Sequence, residues 1–179
     1  MISNPRQLAF LTLRAIDRGA FADVALEKTL SQVTLEAVDR ALITEIVYGC
    51  IRRQRTLDAV INHLAKKKAS QQPPDLRLLL HLGLYQLIYL NHIPPPAAVN
   101  TTVDLAKQNG FAGLTGFVNG LLRQSVRQME KGGGGVGERQ NLSAFMPHPL
   151  SLGIRHSLPD WIVQVWLDQF GEAETAELC

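Results

Sequence analysis

The stretch DLRLLLHLGLYQLIYL, residues 75–90, decides the fold. Its apolar residues point in nearly every direction around a helical wheel, so it reads as a helix enclosed by others at the centre of a bundle. The few polar groups form one edge. Arg77, His81, Tyr85 and Tyr89 recur at every fourth residue and drift by only about 40° per step, which predicts a polar-tipped stripe. Pro73-Pro74 opens the segment and Pro94 to Pro96 ends it.

Working outward, the same period recurs on both sides, and no sustained alternation of period two appears. Asn4 as N-cap and Pro5 in the first turn start a helix that runs to about residue 18, where Gly19 stops it. Its buried face is Ala9, Leu13 and Ile16, with Gln7, Arg14 and Arg18 on the opposite strip, toward water or a ligand. Further helices are expected over about residues 22–32, 35–52 and 56–65, the second of these burying Val38, Leu42, Ile46 and Cys50. After the triple proline come helices over about 97–109 and 114–129, which completes an all-α bundle of roughly seven helices.

Lys131 begins KGGGGVGERQNLSAF, a linker by composition, so the chain divides into a helical domain over 1–130, a glycine-rich linker over 131–146 and a further segment over 147–179. Charge divides with it: residues 1–130 hold 15 Lys and Arg against 10 Asp and Glu, whereas 131–179 hold 3 against 6. In the last segment Pro159-Asp160 opens a helix carrying Trp161, Val165 and Trp166 that Gly171 closes, and EAETAELC begins another. That helix reaches Cys179 with no stop signal, which is read as the start of a domain that continues in a longer protein.

Composition excludes several chemistries. Two cysteines, Cys50 and Cys179, make neither a disulfide framework nor a thiolate zinc site, which fits a cytoplasmic protein. No apolar run is long enough for a membrane span. His63, His81, His92, His148 and His156 lack metal-ligand spacing, so no metal is expected, and His81 reads as a hydrogen-bonded interface histidine. Cys50 reads as a packing thiol, and Asp17, Asp23, Asp58 and Asp75 as solvated charges. Gly132, Gly134 and Gly137 satisfy G-x-G-x-x-G, but with a helix before them and no strand they read as linker rather than cofactor loop.

Basic clusters remain. Arg6, Arg14 and Arg18 lie on the first helix, Arg52, Arg53 and Arg55 at a joint between helices, and Lys66, Lys67 and Lys68 after the next helix. Guanidinium forks bind phosphates bidentately, and helix ends and joints let several converge on a curved backbone, so these are the candidate phosphate contacts. The alternative is that they complement helix ends and form a solubilising face.

Four segments carry a resemblance: NPRQLAFLTLRAID from residue 4, EIVYGCIRRQRTLDAVI from 45, LHLGLYQLIYLNHIPPPAAVNTTVDLAK from 80 and GFVNGLLRQ from 116. With Tyr48-Gly49, the Ile93-Pro94 joint, Ala98-Val99-Asn100 and Phe117-Val118-Asn119 in order, they resemble the N-terminal domain of the bacterial 16S ribosomal RNA cytosine-5 methyltransferases, a helical domain of the NusB type. The resemblance covers about residues 4–130, and LPDWIV at 158–163 is similar to the HPEWLV-like joint of the same enzymes, with Leu158-Pro159-Asp160 in place of His-Pro-Glu.

The resemblance implies 16S ribosomal RNA and the chain's own C-terminal methyltransferase domain as partners, and S-adenosylmethionine as cofactor of that domain; the basic clusters, from Arg6, Arg14 and Arg18 to Lys66, Lys67 and Lys68, are then the candidate RNA contacts, Arg52, Arg53 and Arg55 foremost. It also implies a nucleophilic cysteine after a proline. Cys50 follows Gly49 and Cys179 follows Leu178, so this stretch is expected to hold neither nucleophile nor cofactor loop and to be inactive by itself. A stand-alone antitermination factor and a protein-docking scaffold are the other readings.

Overall fold

A computed structural model of the protein describes residues 4–131 and 152–179. All regular structure in these residues is helical: α1 Pro5–Asp17, α2 Ala22–Ser31, α3 Ala37–Arg52, α4 Gln54–Leu64, α5 Pro74–Tyr89, α6 Pro95–Gln108, α7 Thr115–Lys131, α8 Leu152–His156 and α9 Asp160–Leu178. Single 3-10 turns, Ala69–Gln71 and Ala112–Leu114, precede α5 and α7. The linker expected over 131–146 lies outside the described residues from residue 132 onward, and the G-x-G-x-x-G with it.

α5 is the axis of the bundle. From Leu76 to Ile88 every residue except Arg77 is buried, and α1, α3, α4, α6 and α7 all pack on it. Gly83 sets how close two of them come: a Cβ there would lie 2.9 Å from Thr102 Cγ2 on α6 and 3.0 Å from Leu122 Cδ2 on α7. The helix that reads as apolar all round is thus the one the others enclose.

The ends follow local chemistry. Asn4 Oδ1 accepts from the Arg6 amide at 3.0 Å, Pro5 occupies the first turn of α1, and Gly19 turns the chain at φ +102°. α6 starts at Pro95, earlier than the expected residue 97, because proline suits a first turn whose amides have no helical partner.

Two expected faces are corrected. Val38 is 78% exposed, and α3 buries Ile43, Ile46, Val47 and Cys50. Position 38 lies about 130° from the centre of that stripe, so an i, i+4 ladder started at Val38 drifts off it. On α1, Gln7 and Arg14 do not point into open water. The Gln7 amide exchanges hydrogen bonds with Asn109 at 3.0 and 2.7 Å, while Arg14 lies 3.7 Å from Asp75 and 5.6 Å from the centroid of the Phe10 ring. α1 is covered on both sides by α3 and by the ends of α5 and α6, so its polar strip finds partners.

α9 breaks at Gly171, φ +76°, as its sequence predicts. It buries Val163 and leaves Trp161 exposed, so the expected apolar face of Trp161, Val165 and Trp166 is only partly used. No helix among the described residues is long and apolar enough to cross a membrane.

Candidate nucleic-acid interface

The polar stripe on α5 exists, and it is spent inside the protein. Arg77 donates from Nε to Asp58 Oδ1 at 2.8 Å and from Nη2 to Oδ2, and His81 Nε2 meets the same Oδ1 at 2.8 Å. Burial alone would raise the Asp58 carboxyl; hydrogen bonds from His81 and Arg77, and then their charges, outweigh it and hold the group below the ordinary carboxylate range. Asp58 and Asp75 are therefore paired groups, not the solvated charges expected. His81 is the interface histidine that its setting predicts.

Further along the stripe, the Tyr85 hydroxyl donates to Glu45 Oε1 at 2.5 Å, and burial followed by that carboxylate pushes the phenol well above its usual range. Tyr89 stacks on Tyr85 with centroids 5.1 Å apart and carries the Arg53 guanidinium 5.4 Å from its own ring centre. Cys50 is buried beside this row, and burial pushes its thiol far up, as befits a packing residue.

The basic candidates separate into two sets. Arg6 donates from Nε to the buried Gln86 Oε1 at 2.6 Å, and burial, partly offset by Asp39, lowers its pKa. Arg14 pairs with Asp75, Arg53 lies on Tyr89, and Arg55 donates from Nη1 to the Leu158 carbonyl and from Nη2 to Asp160. Arg18, Arg52, Lys66 and Lys67 are exposed, with no side-chain hydrogen bond or ion pair among the described residues, and Lys68 is exposed beside them. The joint of Arg52, Arg53 and Arg55 thus presents Arg52 to solvent and holds the other two on protein groups.

What occupies Arg55 is a contact that sequence reasoning missed. The one-residue joint at Arg53 gives α4 no side-chain cap, so amides of its first turn need acceptors from elsewhere. The Thr56 amide donates to Ser157 Oγ at 3.0 Å, and Thr56 Oγ1 donates to the Ile154 carbonyl at 2.6 Å. Ser157 takes φ +61° to make the turn, and the Leu158 amide closes it on the Gly153 carbonyl at 2.8 Å. A Cβ on Gly153 would lie 2.8 Å from Asp160 Oδ1 and 2.9 Å from the Leu158 carbonyl, so the fit requires glycine. His156, beside this turn, is lowered first by burial and then by the charges of Arg53 and Arg155.

The Arg55→Ala/Thr56→Val double variant should release this latch. An exposed ion pair contributes at most about 1 kcal/mol and each lost hydrogen bond about 1 kcal/mol. The bundle should therefore stay folded while the amides of Thr56 and Leu158 lose protection in hydrogen exchange. Unchanged protection at both would show that the tail is held by something else.

Among the described residues, no group of His, Cys, Asp or Glu is arranged to hold a metal ion. The family model for NusB matches residues 3–127. The chain is 46% identical over 177 residues to a probable ribosomal RNA small subunit methyltransferase B of Synechocystis sp., taking in 98% of this chain and 38% of that protein. With ribosomal RNA small subunit methyltransferase B of Thermus thermophilus it shares 32% identity over 174 residues, 97% of this chain and 38% of the relative. The transcription antitermination protein NusB of Nitratidesulfovibrio vulgaris is 37% identical over 54 residues, 30% of this chain and 35% of that protein. The chain spans less than two fifths of the length of these methyltransferases.

Proposed function

The chain belongs to the NusB family, and from that premise we propose that it is an RNA-binding module that positions ribosomal RNA for a methyltransferase domain carried on the same polypeptide. The extent of its likeness carries this reading. Similarity to the Synechocystis methyltransferase takes in 98% of the chain, α8 and α9 included, whereas the antitermination protein matches 30%. The tail latch supports it further, because a domain joined beyond α9 would be tied through Arg55 and Thr56 to the RNA-binding bundle.

The chemistry on this side is positioning. Phosphate and sugar contacts fix the register of an RNA without reading many bases, so a rigid helical body with exposed cations suffices. Arg18, Arg52, Lys66, Lys67 and Lys68 supply those cations, and 16S ribosomal RNA in the cytoplasm is the substrate this reading names. S-adenosylmethionine would be the methyl donor of the catalytic domain. Among the described residues no strand leads into a glycine loop and Cys50 is buried, so this reading assigns both the cofactor loop and the nucleophile to that domain.

Titrating the 179-residue chain with 16S RNA fragments over a range of salt tests the proposal. Binding should weaken as salt rises. Arg18→Ala and Arg52→Ala should each lower the slope of log affinity against log salt by about 0.7 to 0.9, with helical content unchanged. A chain that binds no 16S fragment, or slopes unmoved by either substitution, would overturn it.

A further inference from the structure

The pair of Arg55 with Asp160 joins α4 to the tail at the edge of the molecule rather than inside it. The Arg55 side chain is 34% exposed and that of Asp160 is 69% exposed. Nη1 donates to the Leu158 carbonyl while Nη2 donates to Asp160 Oδ2, so one guanidinium fork is filled by two oxygens of a single turn. A phosphate presents two oxygens to such a fork in the same way.

The surroundings of the pair are cationic. Arg52 is exposed at the same joint, Arg53 lies over the Tyr89 ring, and Arg155 is exposed on α8. The Arg155 carbonyl lies 3.4 Å from Thr56 Oγ1, which sets that residue against the joint. Neither Arg52 nor Arg155 has a side-chain hydrogen bond or ion pair among the described residues. His156 registers the imbalance: after burial, the charges that lower its pKa are those of Arg53 and Arg155, both positive. Against these cations the turn from Gly153 to Asp160 sets one carboxylate, Asp160 itself.

An exposed ion pair of this kind shifts an equilibrium by no more than about fivefold. A phosphodiester arriving among several arginines gains more than that, because each charge-assisted contact also releases a counterion from the RNA. Asp160 is therefore a displaceable partner.

We propose that Asp160 competes with an RNA phosphate for Arg55: RNA bound at the joint takes the Arg55 fork, and the start of α9 lets go of it. The inference rests on the reading of the chain as an RNA-binding module, and adds to it a contact that the tail withholds. Only half of the latch opens, since Thr56 keeps its bonds to Ile154 and Ser157. The coupling is reciprocal, so whatever draws Asp160 away from Arg55 strengthens RNA binding. Asp160 is the first residue of α9, and RNA at the joint thus frees the helix that leads out of the bundle.

Anisotropy titrations of the full chain with a 16S RNA fragment at 0.15 M salt test this. Asp160→Asn removes the competing charge, keeps the shape, and should tighten binding by about threefold to fivefold. Asp168→Asn makes the same change of charge about 12 Å further along α9. That distance exceeds the screening length of about 8 Å, so its effect should stay below about 1.5-fold. In the Arg55→Ala background, Asp160→Asn should do no more than Asp168→Asn. Equal effects of the two substitutions in the wild-type background overturn the competition, as does a gain from Asp160→Asn that persists without Arg55. If neither the wild type nor Asp160→Asn binds the RNA, the RNA-binding reading itself falls and the competition with it.

Discussion

Asp58→Ala should destabilise the chain by about 3 kcal/mol, the low end of the cost of leaving a buried charge network without its partner. The carboxylate answers two donors on α5, and His81 beside it is only 2% exposed. Removal would leave Arg77 and His81 facing each other across a cavity at the α4–α5 contact. The pH dependence has a definite sign. The folded Asp58 carboxyl titrates below its unfolded value, so its stabilisation is complete above the unfolded pKa of about 3.9 and is lost as pH falls through the folded value. Asp58→Asn keeps the shape but cannot carry the charge. In urea titrations the gap between wild type and Asp58→Asn should be widest above about pH 4 and should shrink as the solution is made more acidic. A gap that does not change with pH would mean that charge is not what Asp58 contributes.

That network also marks where sequence reading stops. The spacing of Arg77, His81, Tyr85 and Tyr89 is a local property of one helix, so both the stripe and the enclosed position of α5 are legible. Their partners are not, because Asp58 and Glu45 lie on helices whose pairing with α5 depends on tertiary packing. Val38 fails for a related reason: a four-residue ladder fits a short helix, but over three steps it departs from the buried stripe. The cap at Asn4 and the stop at Gly19 are legible, since their hydrogen bonds close within a few residues.

The candidate site divides along the same line. Clustering of cations along the chain is visible at once, but which of them remain available is decided by groups remote in sequence. Arg53 is taken up by an aromatic face, and Arg55 by a carbonyl and a carboxylate more than 100 residues away. A guanidinium bound to a carbonyl leaves no mark in composition or charge pattern. The latch at Thr56 is invisible for the same reason, since its amide needs an acceptor only because the Arg53 joint provides no cap. A groove beside Gly120 draws its walls from α4, the loop after it, α5 and α7. In the sequence only its lysines, Lys66 and Lys67, stand out.

Gly49→Ala sets two of these levels against each other. Helix propensity alone predicts stabilisation of about 1 kcal/mol, since Gly49 lies in the interior of α3. Packing predicts the reverse. A Cβ at residue 49 would lie 1.9 Å from Tyr85 Cζ and 2.2 Å from its hydroxyl oxygen. The ring has little room to yield, because Glu45 holds its hydroxyl and Tyr89 stacks on its face. Overpacking of a rigid neighbour costs up to about 3 kcal/mol, so the net effect should be destabilising by about 2 kcal/mol. Tyr85→Ala alone should cost about 3 kcal/mol or more through the cavity it leaves. In that background the added methyl group has space, and Gly49→Ala should become neutral or stabilising. Denaturant titrations of the four proteins in the cycle would thus give a coupling of at least about 2 kcal/mol. Additive effects would show that Tyr85 moves aside freely. That result would also loosen the row from Gly49 through Tyr85 and Tyr89 to Arg53.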